Sequence, residues 1–187
     1  DYNGAFAIQG KFINVLNASP DAIAKNEEVN LLKLMLNLKL NCDYSKEENW
    51  KTLRYHKVCI TTDMDDDGIH IRGLLLNFFY TLWPQLLEKG FVISFSTAVA
   101  KVSFTGKTNP ILFYSNPEYK EWYEKNWKEL KISEVKYLKG LGSIHPTDVP
   151  GYFNDPKIVS YYNEGDEKEY MDLGFSDTKS DMRKLWI

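Results

Sequence analysis

A short apolar strand that leads directly into a cluster of aspartates limits the folds available to this chain of 187 residues. Residues 57–62 (KVCITT) have the composition of a short buried strand, and three aspartates follow at alternate positions, namely Asp63, Asp65 and Asp67. Gly68 closes the cluster, and apolar residues then recur at helical spacing over residues 69–89. A strand, an acidic loop and a helix in this order predict a mixed α/β fold.

The other segments also alternate between strand and helix patterns. Residues 5–16 are apolar and β-prone, and further strands are predicted over residues 91–95, 98–104, 111–115 and 134–138. Ser19 and Asn26 are residue types that favour a helix N-cap, so a helix should begin after each of them. Pro84 should divide the helix that follows the aspartates. Additional helices are predicted over residues 117–130, 156–162 and 179–187.

The composition excludes several classes of protein. A hydrophobic fraction of 43% with 26% charged residues is typical of a globular chain and excludes disorder and coiled coil. The apolar runs are only a few residues long, so we expect no membrane-spanning helix. The net charge of −3 means that any nucleic-acid binding must be local. Cys59 lies in an apolar run and is expected to be a buried thiol, which favours an intracellular setting.

The three aspartates form a candidate metal site. Alternation along an extended chain should make Asp63, Asp65 and Asp67 converge, and unpaired carboxylates at such short distances would repel. A cluster of oxygen ligands suits Mg²⁺, whose coordination is completed by water and phosphate oxygens. The alternative is a solvated acidic loop, or a helix N-terminus that is stabilised by negative charge.

Two other metal-binding families share parts of this pattern. The sequence D-x-D-x-D-G also opens an EF-hand loop, but Leu74 stands where that loop needs its last glutamate, and a strand replaces the entering helix. A phosphohydrolase of the haloacid dehalogenase type begins with D-x-D-G after a strand, but the threonine expected next is Ile69. This phosphohydrolase is the second hypothesis, and a non-catalytic metal or nucleic-acid module is the third.

Glycines flank two lysines in turns that could approach a phosphate, namely Gly10 with Lys11, and Lys139 with Gly140 and Gly142. Backbone N–H groups and an ammonium can bind one phosphate together in such turns. The alternative for each is an ordinary turn with a solvated lysine. His70 follows the aspartates in the helix and could support a phosphate or a carboxylate, or be a structural histidine.

Five stretches, in order along the chain, resemble motifs of the type IIA DNA topoisomerases. Residues 61–75 resemble the signature D-x-D-x-D-G-S-H-I-x-G-L-L of their Toprim domain. The others are residues 4–15 (P-L-R-G-K-x-L-N-V), 113–119 (F-Y-x-x-P-E-Y), 137–143 (Y-Y-K-G-L-G-T) and 172–187 (D-L-A-F-S-K…D-R-K-x-W-L). The G-L-L and F-Y-x-x-P-E-Y features favour the eukaryotic type over bacterial gyrase. The chain departs from the motifs at Ala7, Gln9 and Ile69, where the family has Pro, Arg and Ser.

The resemblance implies a fold and a domain organisation. It implies an α/β Toprim domain over residues 1–150, with a Rossmann-like, largely parallel sheet flanked by helices. Residues 151–187 would form an extension that leads toward a winged-helix domain outside this chain. We also expect a piece of a longer subunit, because the chain opens with Asp1-Tyr2 and no initiator methionine.

The resemblance also implies an activity. The enzymes of this family cut both strands of one DNA duplex through tyrosyl phosphodiesters, pass a second duplex through the gap using ATP, and reseal the cut. Mg²⁺ would be held by Asp63, Asp65 and Asp67, and double-stranded DNA would be contacted by Lys11, Lys139, Gly140 and Gly142. The nucleophilic tyrosine, the glutamate of the E-G-D-S-A motif and the ATP site lie outside this chain, so we expect the chain alone to be inactive. The full protein is expected to be a homodimer, located in the nucleus if eukaryotic and in the cytoplasm or a viral factory if viral.

Overall fold

A computed structural model of the chain describes residues 3–106, 109–128, 130–138, 140–162 and 165–186. The described residues form a mixed α/β structure, which confirms that part of the prediction. The helices are α1 (Pro20–Lys25), α2 (Glu27–Leu36), α3 (Glu47–Trp50), α4 (Asp66–Leu82), α5 (Pro84–Glu88), α6 (Asn116–Asn126), α7 (Val149–Asn154), α8 (Glu167–Phe175) and α9 (Ser180–Trp186). The strands are β1 (Val58–Thr61), β2 (Val92–Ser96), β3 (Ala100–Phe104), β4 (Ile111–Phe113), β5 (Ile132–Tyr137) and β6 (Lys157–Ser160).

The strands form two small sheets. One has the order β1-β2-β6, and the other has the order β4-β3-β5. The chain divides into two compact units. The first unit comprises Asp1–Ile60, His70–Ile93 and Ser160–Ile187, and the second unit comprises Thr61–Ile69 and Ser94–Val159. No helix in the described part of the chain combines the length and the apolar character needed to cross a membrane.

The core of the first unit is built around the apolar face of α4. Leu74, Leu75, Phe78 and Phe79 recur at the spacing that places side chains on one side of a helix, and all four are buried. The ring of Phe78 packs edge-on against those of Phe12 and Trp83, with centroids 5.1 and 5.4 Å apart. The indole N–H of Trp83 donates to the carbonyl of Lys39 at 2.9 Å, so burying this ring leaves no polar atom without a partner.

The N-terminal segment contributes to this core without forming a strand. Residues 5–16 were predicted to be β-prone, but no described residue before α1 lies in a strand. Phe12 and Val15 are buried all the same, at 4% and 3% exposure. Between them, Asn14 accepts a hydrogen bond from the fully buried Asn77 amide at 2.9 Å and donates to the carbonyl of Phe175 at 2.8 Å. Side chains therefore hold this segment where no strand ladder does.

The core of the second unit lies between an antiparallel sheet and α6. Strand β3 pairs with β4 from Ala100 opposite Phe113, and with β5 from Ala100 opposite Tyr137. Its residues alternate between buried and half-buried, which is the pattern of a strand with one face in a core. Helix α6 covers that face with Tyr119 and Trp122, whose rings lie 5.4 and 5.0 Å from that of Phe113.

Other details of the sequence prediction are also wrong. Residues 156–162 were predicted to be a helix, but Lys157–Ser160 is the strand β6, all of whose residues are exposed. Helices α3, α7 and α8 were not predicted. Cys59 was expected to be buried in β1, but it is exposed because it lies on the strand face opposite Val58 and Ile60, which pack in the core.

Candidate metal centre and phosphate-binding turns

The acidic loop joins β1 to α4 and forms the start of that helix. The Asp65 carbonyl accepts the N–H of Ile69 at 2.9 Å, and its Oδ1 accepts the N–H of Gly68 at 2.8 Å. These two bonds are those of a helix N-cap, because the first N–H groups of a helix have no partner within the helix. Asp65 therefore stabilises the first turn of α4 with one oxygen, and the side chain is otherwise exposed.

Asp63 lies between two glycines. A Cβ added to Gly68 would overlap the main-chain carbonyl of Asp63. A Cβ added to Gly140 would lie 2.6 Å from Asp63 Oδ2 and 2.7 Å from its Cγ. The absence of a side chain at Gly68 thus makes room for the backbone of Asp63, and its absence at Gly140 makes room for the carboxylate.

The structure does not bring the three predicted ligands together as a closed cluster. Across the described residues, no three His, Cys, Asp or Glu side chains form a group that could hold a metal ion. The reason is the position of the helix start. Asp67 already lies in the first turn of α4, where residues no longer alternate between two faces as they do in a strand. The predicted convergence of Asp63, Asp65 and Asp67 is therefore not observed.

The donors in this loop nevertheless fit Mg²⁺. This ion usually keeps several waters and takes one or two carboxylates from the protein, so it needs no complete protein cage. Asp65 and Asp67 are exposed and Asp63 is half-buried, which leaves room for water and phosphate oxygens. His70 is exposed in α4 and adds no observed bond to an aspartate. The loop is thus an oxygen-only donor set that opens to solvent.

The structure describes the turn at Gly10 and Lys11 completely, and the turn at Gly140 and Gly142 without Lys139. Gly10 has φ +71°, a left-handed conformation that glycine adopts without strain, and Lys11 beside it is exposed. Lys139 lies outside the described residues. Gly140 accepts two hydrogen bonds from Ser143 on its carbonyl, from the hydroxyl at 2.6 Å and from the N–H at 3.0 Å. Gly142 has open space where a side chain would be. The N–H of Gly140 donates to Ser143 Oγ at 3.4 Å, so it is used within the turn, and phosphate binding at both turns stays a prediction.

A second polar cluster escaped the sequence analysis. It lines a cavity of about 300 Å³ in the second unit, where Lys101 Nζ lies 2.8 Å from Asp148 Oδ2. Tyr114 and Tyr152 also line this cavity, and burial raises the pKa of each phenol above its ordinary value. The residues come from distant parts of the sequence and form no motif, so no local pattern could have identified them.

Two protein-family models match the chain. The Toprim domain model matches residues 1–98, and the model described as the C-terminal associated domain of TOPRIM matches residues 95–187. Together they cover the whole chain, with the boundary between them near residue 95. The strand, acidic loop and helix described above lie within the Toprim match.

Curated relatives match the chain from end to end. It is 40% identical over 195 residues to DNA topoisomerase 2 of Candida albicans and 40% identical over 197 residues to that of Saccharomyces cerevisiae. Each alignment covers 100% of this chain, but the chain spans only 13% of the length of either relative. The resemblance to type IIA topoisomerases that the motifs indicated is therefore confirmed.

A solved structure gives the same result for the fold. The chain superposes on a crystal structure of the DNA-binding, cleavage and re-ligation domain of Plasmodium falciparum topoisomerase II with a TM-score of 0.83. The two are 32% identical, and the match covers 96% of this chain and 24% of the other.

Proposed function

Because the chain belongs to the Toprim family, we propose that it is the metal-binding part of the DNA gate in an ATP-dependent type IIA DNA topoisomerase. The observation that carries this proposal is the 40% identity to DNA topoisomerase 2 proteins over the whole chain. The aligned region includes the acidic loop at the start of α4, whose oxygen donors fit Mg²⁺. The nucleophilic tyrosine and the acidic E-G-D-S-A motif would come from outside this chain.

Asp63 and Asp65 would hold the ion, and Asp67 in the first turn of α4 would add negative charge beside them. When bound, Mg²⁺ neutralises charge on a phosphate that undergoes displacement and anchors the DNA backbone. Contacts within the protein hold two of these carboxylates in place in the absence of the ion. Asp65 is held by the N–H of Gly68, and Asp63 is confined between Gly68 and Gly140. Carboxylates held in place lose less conformational freedom when they bind a ligand.

Phosphate contacts would come from the two glycine turns. Lys11 and Lys139, with the backbone at Gly140 and Gly142, would bind the DNA backbone, and His70 would support a phosphate or the metal. The net charge of −3 makes general attraction to DNA unfavourable, so these few cations must act locally. The partners in this proposal are double-stranded DNA, the rest of the subunit and a second subunit, and a domain outside this chain would bind ATP.

The finer architecture is part of the proposal. A Rossmann-like Toprim domain with helices around its strands would extend past the matched residues 1–98 to residue 150, and residues 151–187 would lead toward a winged-helix domain. The superposition on the Plasmodium falciparum domain supports this arrangement. Within the first unit, Asn14 and Asn17 donate to the carbonyl of Phe175 and fix α8 to the N-terminal segment.

A comparison of two activities tests the proposal. The full-length protein should relax supercoiled plasmid when both Mg²⁺ and ATP are present, and should lose this activity when either is withheld. The 187-residue chain alone should hydrolyse no phosphomonoester such as p-nitrophenyl phosphate. Hydrolysis of that ester by the chain alone, with the aspartates required, would instead favour a phosphohydrolase of the haloacid dehalogenase type.

A further inference from the structure

The loop that contains Gly140 lies directly against the carboxylate of Asp63. Three side-chain atoms of Asp63 fall within 3.0 Å of the place where a Cβ on Gly140 would be, namely Oδ2 at 2.6 Å, Cγ at 2.7 Å and Oδ1 at 2.9 Å. Both residues belong to the second unit. The contact therefore joins the K-G-L-G motif to the acidic motif, although the two lie far apart in the sequence.

We propose that Gly140 is a positioning residue for Asp63, and that it sets the place of the carboxylate that binds the metal. Glycine is needed here because any side chain would occupy the volume that the Asp63 carboxylate fills. The proposal rests on the proposed Mg²⁺ site. It gives the K-G-L-G motif a role beyond contact with DNA.

The glycines of this loop differ in the space around them. Gly142, two residues after Gly140, has no atom within 4 Å of its built Cβ. The steric requirement is therefore specific to Gly140 within its own loop.

The Gly140 backbone and the Asp63 main chain are both held in place, so only the Asp63 carboxylate can move to make room for a side chain at residue 140. Ser143 fixes the carbonyl of Gly140 through two hydrogen bonds, at 2.6 and 3.0 Å. The main chain of Asp63 is confined by Gly68. A methyl group at residue 140 would thus be accommodated by rotation of the Asp63 side chain, and Oδ2 would withdraw by about 1 Å to reach ordinary contact distance. Since a metal ligand must be placed within a few tenths of an ångström, the affinity for Mg²⁺ should fall.

The test compares Gly140→Ala with Gly151→Ala in the full-length protein, because Gly151 is also in the second unit and has no atom within 4 Å of its built Cβ. Calorimetric titration with Mg²⁺, without DNA or nucleotide, should show an affinity about tenfold or more weaker in Gly140→Ala and within about twofold of the parent in Gly151→Ala. Crystal structures of the metal-free protein should show the Asp63 carboxylate displaced in Gly140→Ala and unmoved in Gly151→Ala.

The outcomes separate this inference from the proposed function. If the parent protein binds no Mg²⁺, the proposed metal site is wrong. The metal-free structures still test whether Gly140 positions the Asp63 carboxylate. Parental Mg²⁺ affinity in Gly140→Ala, or an unmoved Asp63 carboxylate, would overturn the positioning role. Equal losses of affinity in the two variants would also overturn it, because they would show a general sensitivity of the second unit to an added methyl group.

Discussion

Asp65 caps α4 and is proposed to bind Mg²⁺ as well, and two substitutions separate these two roles. As the N-cap of α4, its Oδ1 accepts the N–H of Gly68 at 2.8 Å. As a metal ligand, it contributes a negative charge and an oxygen that remains exposed. Asp65→Asn keeps an oxygen acceptor for the cap but removes the charge, whereas Asp65→Ala removes both.

The expected magnitudes follow from these contacts. Loss of an N-cap side chain to alanine costs about 1 kcal/mol, so the amides in the first turn of α4 should exchange about fivefold faster in Asp65→Ala. Asp65→Asn should leave their exchange within about twofold of the parent, since asparagine is as good a cap as aspartate. Both variants should bind Mg²⁺ about 10- to 100-fold more weakly, because each loses a carboxylate from the site.

The assay combines hydrogen exchange, read by mass spectrometry over residues 61–75, with calorimetric Mg²⁺ titration of the full-length protein. Asp66→Asn is the matched control, because it removes one charge from the same helix start without removing the cap, and it should weaken Mg²⁺ binding less than Asp65→Asn. Faster exchange in Asp65→Asn equal to that in Asp65→Ala would refute the capping role. Parental Mg²⁺ affinity in Asp65→Asn would refute its role as a ligand.

Three further substitutions test other parts of the structure. Lys11→Ala should weaken DNA binding for every sequence and lower the slope of log affinity against log salt by about one, and an unchanged slope would show that Lys11 touches no phosphate. Asn77→Ala should destabilise α4 by about 1–3 kcal/mol because it removes the fully buried amide that donates to Asn14 and accepts from Thr81 and leaves unfilled space, and hydrogen exchange over residues 70–82 that stays at the parental rate would contradict this. Burial raises the pKa of Tyr119 to about 12, so stability of the second unit should fall as the pH rises from about 10, where an unfolded tyrosine ionises, toward 12. Spectrophotometric titration of Tyr119→Phe should lack a phenol that ionises near the upper end of this range, and loss of one that ionises near pH 10 would contradict the shift.

The strand, loop and helix around the aspartates could be predicted because the apolar spacing changes there from that of a strand to that of a helix. The position of the change could not be predicted to the residue. Helix α4 begins at Asp66 rather than Ile69, because Asp65 caps the free N–H groups of the first turn. That shift of three residues is what separates Asp67 from the face on which it was expected.

Two segments show where local patterns mislead. The apolar residues near Phe12 have the composition of a strand, but their partners are rings and amide groups in the first unit rather than another strand. Over residues 156–162, Pro156 suggested a helix start, although Ile158 and Val159 are β-branched and favour the strand that forms. In each case, tertiary contacts or a competing propensity decided the outcome.

Some features of the candidate site could be predicted from the sequence and others could not. The aspartates and the glycine turns could be identified from their motifs, because each motif is contiguous in the sequence. The approach of Gly140 to Asp63 and the pairing of Lys101 with Asp148 could not, because they depend on how distant segments meet in the fold. Without an alignment of related sequences, a single sequence contains no signal for such contacts.

The central claim is that the aspartate loop supports Mg²⁺-dependent cleavage of DNA, and Asp63 is its most closely confined ligand. The most direct measurement is the Mg²⁺ concentration that gives half-maximal double-strand cleavage of supercoiled plasmid by the full-length protein and by its Asp63→Asn variant. We expect this concentration to rise about tenfold or more in Asp63→Asn, while DNA binding without Mg²⁺ stays at the parental level. Cleavage by Asp63→Asn at the parental Mg²⁺ concentration and rate would contradict the claim.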